Sequence, residues 1–217
     1  MEPKIKLEHV GKEFVTRRQH IVALDDVNME FYPGEFVSIV GPSGCGKSTI
    51  IRIVDDIIKP NSGTVTVDGV PYDNSVPITQ EESRKLGFVF QLPNLYPWLT
   101  VRENLILPLK VYKMVDEEHI QYVDELLDTI GLANCADIYP DEISGGMAQR
   151  IGVIRSMVHK PQMLMMDEPF GALDDDMRER LNIEMLNIWK KTGMTIIFIT
   201  HNVSEAVLLS QKIYVMQ

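Results

Sequence analysis

Alternation of apolar and polar positions dominates the start of the chain. Lys4-Ile5-Lys6-Leu7-Glu8-His9-Val10 and Gly63-Thr64-Val65-Thr66-Val67-Asp68-Gly69 repeat with period two, which predicts half-exposed strands. Phe36-Val37-Ser38-Ile39-Val40 is almost uniformly apolar, the pattern of a strand covered on both faces. A helix is predicted from Lys47 to about Ile58, stopped by Pro60 and Gly63. Gly87-Phe88-Val89-Phe90-Gln91 gives another buried-strand signal. From about Leu92 to His159 the period changes to that of helices. Asp116 is placed as an N-cap, with Glu117 and Glu118 at the positive end of the helix dipole. Ile120, Val123, Leu126, Leu127 and Ile130 then form one stripe, and Gly131 is a C′ stop. Met163 to Met166 returns to a short apolar strand. A helix from about Asp175 to Lys191 follows, with Leu181, Met185, Ile188 and Trp189 on its buried face. Strand 194–200 and a helix from about Val203 complete the pattern, without internal repeats. The order predicts an α/β protein with a mainly parallel core, an antiparallel N-terminal part and a helical insertion.

Composition narrows the field. At about 150 residues per domain, 217 residues suggest one domain, or one domain with a sizeable insertion. Apolar and charged fractions of 45% and 24% are those of an ordinary globular protein and argue against disorder. A net charge of −10 argues against non-specific binding to nucleic acid or to anionic lipid. No apolar run approaches the roughly eighteen residues of a membrane span, and the N-terminus lacks the apolar core of a secretory signal. Cys45 and Cys135 have neither metal-ligand spacing nor the density of a disulfide scaffold, which fits a reducing cytoplasm.

Chemistry enters with Gly41-Pro42-Ser43-Gly44-Cys45-Gly46-Lys47-Ser48-Thr49, which fits G-x-x-x-x-G-K-[ST] between a buried strand and a predicted helix. Glycines let backbone N–H groups turn toward phosphate oxygens, and the helix N-terminus adds a favourable dipole. Lys47 is expected to reach the β- and γ-phosphates and the Ser48 hydroxyl to ligate Mg²⁺. Met163-Leu164-Met165-Met166-Asp167-Glu168 is an apolar strand ending in two carboxylates. Asp167 can hold Mg²⁺ directly or through water and Glu168 can act as general base, although such a pair also serves as a helix cap.

Three further segments leave alternatives open. His201 directly follows a strand and is either a rim residue of the same crevice or a satisfied surface histidine. Gln91, at another strand end, could orient water, contact Mg²⁺ or do neither. Ser144-Gly145-Gly146 precedes a predicted helix from Met147 to about His159. It is either a turn capped by Ser144 or a second anion site, which would then take a nucleotide held by a partner.

In this order the phosphate loop, Gln91, Ile143-Ser144-Gly145-Gly146-Met147-Ala148-Gln149-Arg150, Met166-Asp167-Glu168-Pro169, Gly171-Ala172-Leu173-Asp174 and His201 resemble the ATP-binding subunit of an ABC transporter over essentially the whole chain. The resemblance implies a P-loop NTPase core, ATP and Mg²⁺ as ligands, and a working unit of two cassettes placed head to tail. It gives Phe14 the adenine-stacking position, Gln91 the link between the γ-phosphate site and the membrane partner, and Asp167 and Ser48 the metal. Ser144, Gly145 and Gly146 become the signature closing on the other subunit's ATP. Glu168 becomes the base, His201 the γ-phosphate switch and Asp174 a residue of the dimer interface. Residues of about 92–155 become the signature-bearing helical subdomain of a single cassette spanning 1–217. Partners would be a second copy or a homologous ATPase subunit, transmembrane permease subunits and, indirectly, a solute-binding protein. No nucleic acid is expected. The place of work would be the cytoplasmic face of the inner membrane.

Departures from the family pattern are modest. Ile143 and Met147 replace the usual Leu and Gln, and Gly152 and Ser156 weaken a helix that is usually Ala-rich, by up to about 1 kcal/mol for glycine. The phosphate loop, Leu95-Tyr96-Pro97-Trp98-Leu99-Thr100-Val101 and the stretch from Pro169 to Asp174 look most like the nitrate, sulfonate and taurine importers; other importers or exporters come next. Leu95, Tyr96, Trp98 and Leu99 suit either a contact with a permease helix or the core of the insertion. A soluble ABC protein of DNA repair or translation would carry long insertions or two cassettes, and a small-molecule kinase would have no use for Ser144-Gly145-Gly146. Because related subunits continue past a strand like Lys212 to Met216, a shortened chain or a short natural tail is expected.

Overall fold

The computed structural model describes residues 2–16, 19–72, 79–171 and 173–217, which leaves Ala172 of the Gly171–Asp174 segment outside the described residues. The chain divides into two compact units, Met1–Thr79 with Gly193–Gln217, and Gln80–Thr192.

The first unit opens with strands β1 (Ile5–Val15) and β2 (His20–Phe31), an antiparallel pair. Period-two burial holds from Ile5 to Glu8 and breaks where His9 takes φ 52, one of several register shifts in the pair. These irregularities and the exposure of its first half explain why β2 carries no clean alternation in the sequence. Strand β3 (Phe36–Val40) is buried at every position, as its composition predicts. It leads through the Gly-rich loop into α1 (Lys47–Val54). That helix stops short of the predicted Ile58 because Asp56, with φ 56, turns the chain out of the helical region. Strands β4 (Ser62–Val67) and β5 (Val70–Pro71) complete an antiparallel sheet of order β2-β1-β4-β5.

The second unit holds a short helix α2 (Gln80–Arg84) and β6 (Leu86–Val89), followed by an irregular stretch. Then come α3 (Val101–Val111), α4 (Glu117–Thr129) and α5 (Gly145–Arg155). Helix α3 starts with a reciprocal cap between Thr100 and Glu103. Helix α4 matches its prediction: Asp116 accepts from the His119 N–H, Val123, Leu126 and Leu127 are buried, and Gly131 takes φ 67 just past the end. Helix α5 ends at Arg155 rather than near His159, with Ser156 as C-cap; its hydroxyl donates to the carbonyls of Gly152 and Val153. Strand β7 (Met163–Asp167) runs parallel to β6, and α6 (Asp175–Thr192) buries Leu181, Met185 and Ile188 but leaves Trp189 half-exposed.

The chain then returns to the first unit with β8 (Thr195–Thr200), α7 (Val203–Leu209) and β9 (Lys212–Val215). Both β8 and β9 pair in parallel with β3. Parallel pairing in β6–β7 and around β3 makes the core strands parallel, against the antiparallel N-terminal sheet. Among the described residues no helix is long and apolar enough to cross a membrane.

Candidate functional site

The phosphate loop lies at the end of β3, and its backbone is held in shape from two sides. Gly46 forms the N-cap of α1 with φ 98, and a Cβ there would stand 2.3 Å from the Ala23 carbonyl oxygen of β2. No L side chain fits that geometry, so the last glycine of the motif is required by packing as well as by dihedral. Lys47 is 4% exposed, and its ammonium donates to the carbonyls of Gly41 and Pro42 at 2.8 Å each. Ser48 and Thr49 are half-buried in the first turn, while Pro42, Ser43 and Gly44 line the open side. No side chain caps the α1 N-terminus, so its N–H groups are not taken up by a side-chain cap.

Phe14 stands near the tip of the β1–β2 hairpin, opposite Ile21, with its ring 39% exposed and the Lys12 ammonium 5.3 Å from the ring centroid. An exposed aromatic face on the same hairpin that backs Gly46 is the right chemistry for a flat heteroaromatic base. At the other end of α1, burial and the adjacent Asp56 push the Asp55 carboxyl up to about 7. His201 follows β8 directly and is exposed. The neighbouring Thr200 hydroxyl donates to Glu205 at 2.5 Å and accepts from the Asn202 N–H at 2.9 Å, so the turn that displays the imidazole is tied down.

In the second unit β7 delivers Asp167 and Glu168, both half-buried. Glu168 has φ 46, a left-handed conformation that costs a non-glycine residue about 1–3 kcal/mol. The Gly171 N–H donates back to the Glu168 carbonyl at 3.2 Å, closing the turn. Asp174 accepts from the Met177 N–H at 2.9 Å and so caps α6. Ser144 caps α5, its hydroxyl accepting from the Met147 N–H at 3.3 Å. Ser144 and Gly145 are exposed, and a Cβ at Gly145 would meet nothing within 4 Å. The cap and the open helix start therefore coexist.

Gln91 is exposed at the end of β6, where its carbonyl accepts from the buried Gln149 side chain. The aromatic stretch after it divides: Tyr96 and Trp98 are 42% and 70% exposed, while Leu95 and Leu99 are half-buried. Sequence reasoning missed the residue that arranges this stretch. Asn104, fully buried, accepts from the Tyr96 N–H and donates to the carbonyls of Tyr96, Leu99 and Thr100. An asparagine among the apolar positions of α3 was the available signal, since a buried amide needs partners.

No group of three or more His, Cys, Asp or Glu side chains able to hold a metal occurs among the described residues. That donor set does not suit a metal caged by protein alone. Mg²⁺ makes no such demand, since it takes one or two protein oxygens and fills the rest of its shell with phosphate oxygens and water.

A Gly-rich loop between a buried parallel strand and a helix, with a second apolar strand ending in Asp-Glu, defines a P-loop NTPase. The family model described as "ABC transporter" matches residues 24–171, and the chain belongs to that family. It is 41% identical to the nitrate import ATP-binding protein of Synechocystis, over 98% of this chain and 77% of that protein. An aliphatic sulfonates import ATP-binding protein of Bacillus thuringiensis is 38% identical over 98% of this chain and 80% of its own length. Among solved structures, two dimeric forms of the bacterial cassette MJ0796, one of them bound to ADP and Pi, align with a TM-score of 0.85. They are 34% and 33% identical and cover 98% of this chain and 94% of the neighbour. The chain is accordingly an ATP-binding cassette with ATPase activity.

Proposed function

We propose that this chain is the ATP-hydrolysing subunit of an importer for a small anion such as nitrate, a sulfonate or taurine. It works as one cassette with residues of about 92–155 as the helical subdomain. The observation that carries the reading is the pairing, in one chain, of a phosphate loop backed by β2 at Gly46 with an exposed Ser144-Gly145 helix start. A second copy, or a homologous ATPase subunit, brings its own loop to that start, so that each ATP is held by both chains. The names of the nitrate and sulfonate relatives support the substrate class.

In the cycle, the Phe14 ring stacks on adenine and the N–H groups of Gly41 to Thr49 surround the phosphates. Lys47 turns from the Gly41 and Pro42 carbonyls to the β- and γ-phosphate oxygens. Ser48, Asp167 and Gln91 hold Mg²⁺, which neutralises phosphate charge when bound. Glu168 accepts a proton from the attacking water as the bond between the γ-phosphorus and the bridging oxygen breaks, and His201 donates to the γ-phosphate. Ser144, Gly145 and Gly146 close on the partner's γ-phosphate through N–H groups and the α5 dipole, so closure follows ATP binding and relaxes after hydrolysis. Asp174 lies at the same seam. Exposed Tyr96 and Trp98 offer the permease its contact, and the charge of −10 leaves protein docking as the means of holding the chain at the cytoplasmic face of the membrane. The solute-binding protein acts through the permease.

The test is reconstitution with the permease and its solute-binding protein in vesicles. Nitrate, taurine or an alkanesulfonate is expected to stimulate ATP hydrolysis. Stimulation by a cation such as spermidine instead would overturn the anion assignment.

A further inference from the structure

The stretch between β6 and α3 is fastened to α5 along one side of that helix. Gln149 donates to the Gln91 carbonyl at 3.4 Å, the longest of the contacts. One turn on, Gly152 lets the backbone of Pro93 approach so closely that a Cβ would stand 3.1 Å from the Pro93 Cα. One turn further, the Arg155 guanidinium donates to the carbonyls of Asn94 and Pro93 at 2.8 Å each. Spacing of i, i+3, i+6 keeps these three residues on neighbouring turns of one face. The planar fork of Arg155 sets direction as well as distance, which an ammonium could not do. Beyond Asn94, the four hydrogen bonds of buried Asn104 hold Tyr96 to Thr100. Trp98, although 70% exposed, therefore sits on a loop anchored before and after it.

We propose that Gln149, Gly152 and Arg155 form a strap that makes α5 a rigid lever between its open Ser144-Gly145 start and the Trp98 loop. From Ser144 to Arg155 the lever is about 16 Å long at the usual rise per residue. Movement imposed at the helix start by nucleotide then reaches Trp98 through packed backbone rather than through a flexible tether. Gly152, which weakens the helix, lets Pro93 come this close, because a Cβ there would press on Pro93 at 3.1 Å and the strap would have to give by a few tenths of an ångström. Arg155 and Gln149 are positioning residues and touch no reactant. The inference rests on the proposed two-cassette cycle and adds the connection inside one chain.

The two tryptophans allow a direct test. In a Glu168→Gln, Trp189→Phe background, Trp98 is the only indole, and its emission is read as MgATP is added, alongside ATP affinity and dimer formation. The parent is expected to dimerise and to change its Trp98 emission. Arg155→Ala and Gly152→Ala are expected to bind ATP and dimerise unchanged while losing most of that emission change. Arg155→Lys, which keeps the charge without the fork, is expected to fall between. Gly152→Ala guards against mere unfolding, because alanine strengthens the helix itself. Retention of the full emission change in both Arg155→Ala and Gly152→Ala, or a parent that dimerises with no change at Trp98, would overturn the strap. A parent that binds MgATP but never dimerises would instead overturn the two-cassette reading beneath it.

Discussion

Two helices of this protein begin with glycine next to serine or lysine, and they begin in opposite ways. Helix α1 starts at Gly46 with φ 98, without a side-chain cap, and with the Ala23 carbonyl where a Cβ would be. Helix α5 starts at Ser144 with φ −70, capped by its own hydroxyl, and with open space above Gly145. Glycine at α1 is needed because the protein's own backbone comes close from within. A Cβ on Gly145 would meet nothing within 4 Å, so packing does not call for glycine at α5, and the proposed approach of a partner's nucleotide supplies a reason for it. In the proposed cycle the same pair of physical properties, a helix dipole and a bare backbone, serves as an internal cradle at α1 and as a docking surface at α5.

The largest effect is expected where the two starts are meant to act together. Glu168→Gln should lower steady-state ATP turnover by about 10²–10⁴-fold while leaving ATP binding intact and accumulating an ATP-bound dimer. Phosphate release and sizing chromatography with MgATP check this, and near-normal turnover would remove Glu168 from the role of base. Next, Gly46→Ala should weaken ATP affinity by at least about a hundredfold and cost about 2–4 kcal/mol of stability, because both the dihedral and the Ala23 contact forbid it. Nucleotide titration and thermal melting read the two effects separately.

The matching change at the other helix should behave differently. Gly145→Ala should leave melting unchanged or slightly raised, by up to about 1 kcal/mol, and should not alter ATP affinity of the single chain. ATP-driven dimerisation should weaken about tenfold, because the new methyl occupies the partner's approach. If Gly145→Ala destabilises as Gly46→Ala does, the contrast between the two starts is wrong.

The smallest effect concerns the far end of α1. Asp55 keeps its proton up to about pH 7, well above an ordinary aspartate. Between about pH 4 and 7 the folded chain therefore binds a proton that the unfolded chain has released, and stability falls as pH rises through that window. Asp55→Asn should stabilise on the order of 1–3 kcal/mol at pH 8 and hardly at all at pH 4. Thermal melts of parent and variant at both pH values decide it; an equal gain at both would show that burial does not hold the proton on Asp55.

Much of the local structure was legible in the sequence. Asp116 before Glu117-Glu118 and Gly131 after Ile130 delimit α4 as read, and uniformly apolar runs became β3, β7 and β8. The boundaries of α1 and α5 were overrun, because Asp56 turns left-handed and Ser156 bonds back onto the helix, neither of which periodicity records. Strand β2 went unread because bulges break its alternation against β1. The motif residues, Gln149 among them, could be named from the sequence, but the hold of Asn104, Gln149 and Arg155 on the stretch before α3 could not, since each acts on backbone carbonyls that periodicity does not report. Gly152 read as a weakness in a helix and turned out to be the point where Pro93 comes closest.

The sequence by itself determined what depends on neighbours along the chain: the caps, the stops, the buried strands, and a phosphate loop whose spacing leaves few alternatives. Tertiary structure alone decided which aromatic residues stand outside, why Gly46 tolerates no side chain, why Gly152 sits tight against Pro93, and which side of α5 carries the loop before α3. Those outcomes follow from close approach between segments far apart in the chain, and steric exclusion over a few ångströms leaves no periodic trace in the order of residues.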